Sequence, residues 1–186
     1  AFEVAAVLSH PQAFDAAHDV ALLGDLAFVP GKGGALAIVD IADPAAPKLL
    51  WHRHDPDLLF EAETVLPVPG RLYLGTNDFL SIDITDPRAP KIDAQIVDRP
   101  RISRINGMVM RGHHVFAANK DGYLDLFDVS DPRSPVLVGA LNVRERDGID
   151  WPHDVDLFGA HLVVPDPQGF GREGKPGKVA LYRVQA

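Results

Sequence analysis

Two short phrases, Ala17-His18-Asp19-Val20 and Pro152-His153-Asp154-Val155, each deliver an imidazole immediately before an aspartate. Corresponding places in the two intervening stretches hold Glu63, with Glu61 close by, and Asn106. Two imidazoles, a carboxylate and an amide suit a divalent transition metal or zinc, so His18, Glu63, Asn106 and His153 are the expected metal ligands. A metal held there would act as a Lewis acid or lower the pKa of a bound water, which suits hydrolase or lyase chemistry on a small anionic substrate. The same four side chains also suit a polar ligand without metal, or hydrogen bonds to one another and to water in a polar channel. The aspartates that follow, Asp19 and Asp154, turn to the other face of a strand, where they bond backbone or orient a histidine.

These residues share a place because the chain repeats. Ala37-Ile38-Val39-Asp40-Ile41-Ala42-Asp43-Pro44, Leu80-Ser81-Ile82-Asp83-Ile84-Thr85-Asp86-Pro87 and Leu124-Asp125-Leu126-Phe127-Asp128-Val129-Ser130-Asp131-Pro132 align on one another, with a period of about 43 to 45 residues. A second proline follows each Asp-Pro (Pro47, Pro90, Pro135), which marks a tight turn before the next strand. Upstream of each copy lies a hairpin around a glycine (Gly24, Gly70, Gly112), and a fourth hairpin surrounds Gly159. Each unit therefore reads as four strands, A to D. Sixteen Pro and sixteen Gly, placed between apolar runs, leave no room for long helices. The expectation is an all-β chain, a single four-bladed β-propeller over residues 1–186, with blades at about 18–54, 63–98, 106–142 and 153–184. In such a ring strand A lines the central channel, so its first residue from every blade, His18, Glu63, Asn106 or His153, points at one mouth.

The Ile38-Val39-Asp40-Ile41 and Leu126-Phe127-Asp128-Val129 phrases, with their Asp-Pro turns, resemble the LVIVD repeats of bacterial, often exported, β-propellers. That resemblance implies architecture strongly and activity hardly at all, because one fold hosts many functions. A more remote likeness in blade style extends to selenium-binding-protein-like propellers. The fourth copy stops at strand C, Val179-Ala180-Leu181-Tyr182-Arg183-Val184, without an Asp-Pro turn. Phe2 to Leu8 has the outline of the missing outer strand, so the last blade is expected to be completed by Phe2–Leu8 pairing with Lys178–Val184, which would cover an open sheet edge. If that pairing does not form, self-association is the other route to covering the edge.

Connections between blades gather on the face of the mouth and carry His52, His54, Asp55, Arg99, Arg101, Arg104, Arg144, Glu145, Arg146 and Asp150. Arg104, His54 and Arg172 are the expected substrate contacts, since guanidinium forks favour carboxylate or phosphate. Arg172 and Phe170 sit in a long glycine-rich insertion, Asp166 to Gly177, read either as a lid or as a surface hairpin; it lacks Gly-Lys-Ser/Thr and is no phosphate loop. His113 and His114 fall in a turn on the opposite face and read as exposed. No nucleophile elbow and no His-Glu-x-x-His occurs.

Composition narrows the classes further. The absence of cysteine removes disulfides and thiolate ligands. A formal charge of -8 with no basic stripe argues against nucleic acid. No apolar run approaches the ~20 residues that span a bilayer, so membrane insertion is not expected. The chain begins at Ala1 rather than Met, which fits an extracellular or periplasmic protein, with the cytoplasm left open. The rival to a metal enzyme is a non-catalytic propeller that binds a protein or glycan on its face.

Overall fold

The computed structural model describes residues 2–99, 101–167 and 177–184. Blade 1 is an antiparallel meander of β1 (Ala21–Leu23), β2 (Leu26–Gly31), β3 (Ala35–Asp40) and β4 (Lys48–His54). Blade 2 repeats it with β5 (Thr64–Val68), β6 (Arg71–Gly75), β7 (Phe79–Asp83) and β8 (Lys91–Ile96). Blade 3 holds β9 (Ile105–Arg111), β10 (His114–Asn119), β11 (Tyr123–Asp128) and β12 (Val136–Asn142), followed by a short helix α1 (Val143–Asp147). Blade 4 has three strands, β13 (Asp156–Phe158), β14 (His161–Asp166) and β15 (Lys178–Arg183). The molecule is all-β and has the architecture of a four-bladed propeller.

Local chemistry repeats with the blades. Gly24, Gly70, Gly112 and Gly159 close the first hairpin of each blade with φ between 56° and 74°, a left-handed turn that glycine enters without steric cost. In each Asp-Pro connection one carboxylate accepts the N–H two residues on: Asp43 from Ala45, Asp86 from Arg88 and Asp131 from Arg133, at 2.9 to 3.0 Å. The aspartate ending each third strand does the same for Ala42, Thr85 and Ser130. Two successive side-chain caps fix the turn, so the outer strand returns beside the third. Its register slips by one residue at Ile38/Val39, Ser81/Ile82 and Leu126/Phe127, the same bulge three times.

The core lies between blades. Phe28, Leu36 and Ile38 of blade 1 pack on Val65, Leu72, Leu74 and Ile82 of blade 2. Tyr73 and Phe79 of blade 2 pack on Val115, Ala117 and Phe127 of blade 3, where the Phe79 and Phe127 rings stack at 4.0 Å. Phe116 and Leu124 of blade 3 pack on Val155, Leu162 and Val164 of blade 4. Among the described residues no apolar cluster joins blade 4 to blade 1.

The expected closure by the N-terminal strand is corrected here. Residues 2–9 form no strand, Phe2, Val4 and Val7 are exposed, and the sheet partner of β15 is β14 alone among the described residues. β8 only partly buries alternate residues, so an outer strand of that pattern gains little from packing. β4, β8 and β12 are held to their partners by short Asp-Pro turns; residues 2–8 would have to close a loop of nearly the whole chain for the same modest contact.

Candidate site at the channel mouth

Three positions of the repeat build the mouth: the residue opening the innermost strand, the residue two before it, and the residue just after the second strand. The opening residue is fixed by its backbone, since the N–H groups of His18, Glu63 and His153 donate to the carbonyls of Pro30, Gly75 and Pro165 in their own blades. Two residues earlier, Ala16, Glu61 and Arg104 all adopt left-handed backbone (φ 49°, 58° and 50°), a conformation that costs a non-glycine residue about 1 kcal/mol or more. Lys32 and Lys120 occupy the third position, and their N–H groups donate to the carbonyls of Ala16 and Arg104. A cavity of about 550 Å³ results, lined by Lys32, Glu61, Glu63, Arg104, Lys120, Trp151, His153, Pro165 and Pro167.

Glu63 is the centre of this cavity's charge. Its side chain is fully buried, Lys120 donates to Oε2, and Lys32 Nζ stands 3.4 Å from the same oxygen. Burial opposes its ionisation, but the bonds from Lys120 and Glu61 and the two ammonium charges outweigh that and hold the carboxyl below the usual range. Glu61 shows the reverse: burial, then the hydrogen bond and charge of Glu63, push its carboxyl up. Burial also lowers Lys120, partly offset by Glu63, and Lys120 Nζ lies 5.8 Å from the Trp151 ring centre, within cation–π reach. His153 is held below the ordinary histidine value by burial and then by the charge of Lys120.

Of the four expected ligands, Glu63 and His153 line the cavity, while His18 and Asn106 bond to the backbone of those same two residues. His18 Nδ1 lies 2.9 Å from the backbone carbonyl of Glu63, and its Nε2 is 4.0 Å from the Glu63 carboxylate. Asn106 donates to the backbone carbonyl of His153 and lies 3.1 Å from its Nδ1. Each thus ties the opening strand of its blade to the equivalent residue of the next. Among the described residues no group of three or more His, Asp or Glu side chains is placed to hold a metal ion. Lys120 and Lys32 both stand at Glu63 Oε2, the oxygen a cation would otherwise approach. Asp19 and Asp154 accept the N–H of the next residue at 2.7 and 2.8 Å.

Of the expected substrate contacts, Arg104 lines the cavity while bonding Asp121 at 2.6 Å. His54 is turned away to Asp15, at 3.0 Å. Arg172 and Phe170 lie outside the described residues. Arg99 and Arg101 serve Asp78 and Asp98, Arg144 the carbonyl of Asp150, and His113 and His114 are exposed. Sequence reasoning missed Lys32, Lys120 and Trp151. The signal was available, since the two lysines hold one repeat position, each two residues before a glycine of the second hairpin (Gly34, Gly122).

A family model described as the LVIVD repeat matches residues 16–52 and 106–143. These two segments are LVIVD repeats. The matched segments are blades 1 and 3, the two that carry the mouth lysines. Among solved structures, the chain is similar to the computationally designed Ika4 protein, at 12% identity and a TM-score of 0.69, covering 100% of this chain and 99% of Ika4. It is also similar to a protein from Lactobacillus plantarum, at 14% identity and a TM-score of 0.69, covering 91% of this chain and 54% of that one. The designed Ika8 protein matches at 12% identity and a TM-score of 0.62 over 89% of this chain and 45% of its own. The chain thus spans about half the length of these last two, and at such identities the likeness is one of fold alone. No curated protein matches the chain.

Proposed function

We propose that the channel mouth binds a small anionic ligand, with a carboxylate as its recognised group. The observation that carries this is the Lys32–Glu63–Lys120 cluster: two ammonium groups share one buried carboxylate, and Arg104 lines the same cavity. Lys32, Lys120 and Arg104 line the cavity beside Glu63, whose carboxyl is held below the usual range, while that of Glu61 is pushed up and Arg104 is paired with Asp121. These ammonium and guanidinium groups supply the donors that a carboxylate takes, in a chain whose net charge is -8. A carboxylate entering the cavity meets Lys32 and Arg104, both partly exposed, with the Trp151 face beside them as an apolar wall. Glu63 keeps Lys120 in place, and His153, held below the ordinary histidine value by burial and then by Lys120, offers a ring nitrogen for hydrogen bonding rather than a further positive charge. Binding, not turnover, is the role this arrangement supports.

The test is thermal unfolding of the purified chain with acetate, succinate, inorganic phosphate, zinc or manganese added in turn. A saturable rise in Tm with the carboxylates, reduced at least tenfold in apparent affinity by Lys32→Met and by Arg104→Met, is the expected result. No response to any anion, or one that the variants leave unchanged, removes the proposal. A response to zinc or manganese that disappears in His18→Ala and His153→Ala would instead restore the metal reading on His18, Glu63, Asn106 and His153.

A further inference from the structure

Equivalent residues of the four blades do not share the same burial, and the exceptions fall at two places. Val20 of blade 1, Val65 of blade 2 and Val155 of blade 4 occupy one position of the innermost strand. Val65 is 6% exposed and Val155 4%, each covered by the blade before it, whereas Val20 is 58% exposed. Leu22, two residues on, is exposed as well. At the other end of the array, Val179 of β15 corresponds to Leu36, Phe79 and Leu124, as the pairings Pro165–Val179, Pro30–Leu36, Gly75–Phe79 and Ala118–Leu124 show. Leu36 is 1% exposed under the following blade; Val179 is 65% exposed. Leu181, the counterpart of fully buried Ile38, is exposed too.

The leading face of blade 1 and the trailing face of blade 4 are thus the two halves of one inter-blade interface, each lacking the other. We infer that two copies of this chain join head to tail, blade 4 of each packing on blade 1 of its partner, into a two-fold symmetric ring of eight blades. The geometry follows from interfaces already present: three times in one chain a trailing face meets a leading face, and the proposed seams are the fourth and eighth repetitions of that contact. Val20 and Leu22 would meet Val179 and Leu181 as Val65 meets Leu36 and Ile38. An arrangement of one kind of interface that closes after two copies leaves no open face and cannot grow into a fibre.

Sedimentation velocity of the full chain tests this. A species of twice the chain mass is expected, with loss of that species in Val20→Asp and in Val179→Asp. Both residues are exposed within one chain, so both variants keep the far-ultraviolet circular dichroism of the parent. Mixing the two variants is the decisive measurement. One seam then gathers both aspartates while the other is restored to the parental residues, so dimer returns in the mixture although neither variant dimerises alone. A monomer in the parent chain overturns the inference, as does a dimer that survives both substitutions, or variants that fail to complement when mixed.

Discussion

His18-Asp19-Val20 and His153-Asp154-Val155 carry the same three residues into the same place in two blades, and their surroundings differ throughout. The second copy has a blade in front of it: Asn106 holds the His153 carbonyl, Asp154 lies so close over Gly107 that a methyl group there would be 2.2 Å from its Oδ1, and Val155 is buried. Among the described residues no such cover lies over the first copy, and Val20 is exposed. What His18 does contribute points the other way, to the Glu63 carbonyl of the blade that follows. In a repeat protein, then, the role of a residue is written half in its own blade and half in the next one, and identical phrases need not do identical work.

The comparison breaks most visibly at the valines. Val155→Asp places an unpaired carboxylate in the blade 3–4 core and is expected to cost ~5 kcal/mol, enough to unfold blade 4, while Val20→Asp changes the stability of the single chain by less than ~0.5 kcal/mol. Urea unfolding of both, at concentrations too low for association, reads the contrast; equal losses would mean that the two phrases are equivalent after all. Lys120 lies between the two histidine sites, so Lys120→Met leaves buried Glu63 with Lys32 as its remaining ammonium partner and should cost about 3 kcal/mol. The same variant should raise the His153 pKa towards its ordinary value in an NMR titration, since the Lys120 charge is one cause of its depression.

A smaller effect concerns pH. The folded chain holds His153 below the unfolded value, so the unfolded chain takes up its proton first on acidification. Its contribution to stability is therefore complete above about pH 7 and is lost as pH falls below the unfolded pKa of ~6.5. His153→Gln should flatten the stability profile between about pH 5 and 7; an unchanged slope would show that His153 titrates as it does in the unfolded chain.

The ring of blades was readable because its punctuation is local: a glycine in left-handed backbone and two aspartates capping N–H groups two residues away need no distant partner. The mouth was half readable. His18, Glu63, Asn106 and His153 were found from their register, but register does not say which atoms face one another, and it gave no sign of the lysines from the ends of β2 and β10 that stand on the Glu63 carboxylate. Trp151 escaped notice because it stands five residues before β13, in a connection whose path depends on packing. Phe2 to Leu8 misled for the opposite reason. Alternating apolar residues describe any outer strand, and what recruits such a strand to an edge is its tether, which sequence pattern does not weigh.

Because each apolar cluster joins only successive blades, the fold behaves energetically as a short linear array, with every blade stabilised by its one or two neighbours. Opening should then begin at the ends and travel inwards. Amide protons of β13 to β15 would exchange soonest and those of β6 and β10 last, so the order of exchange would reveal the order in which blades depend on each other.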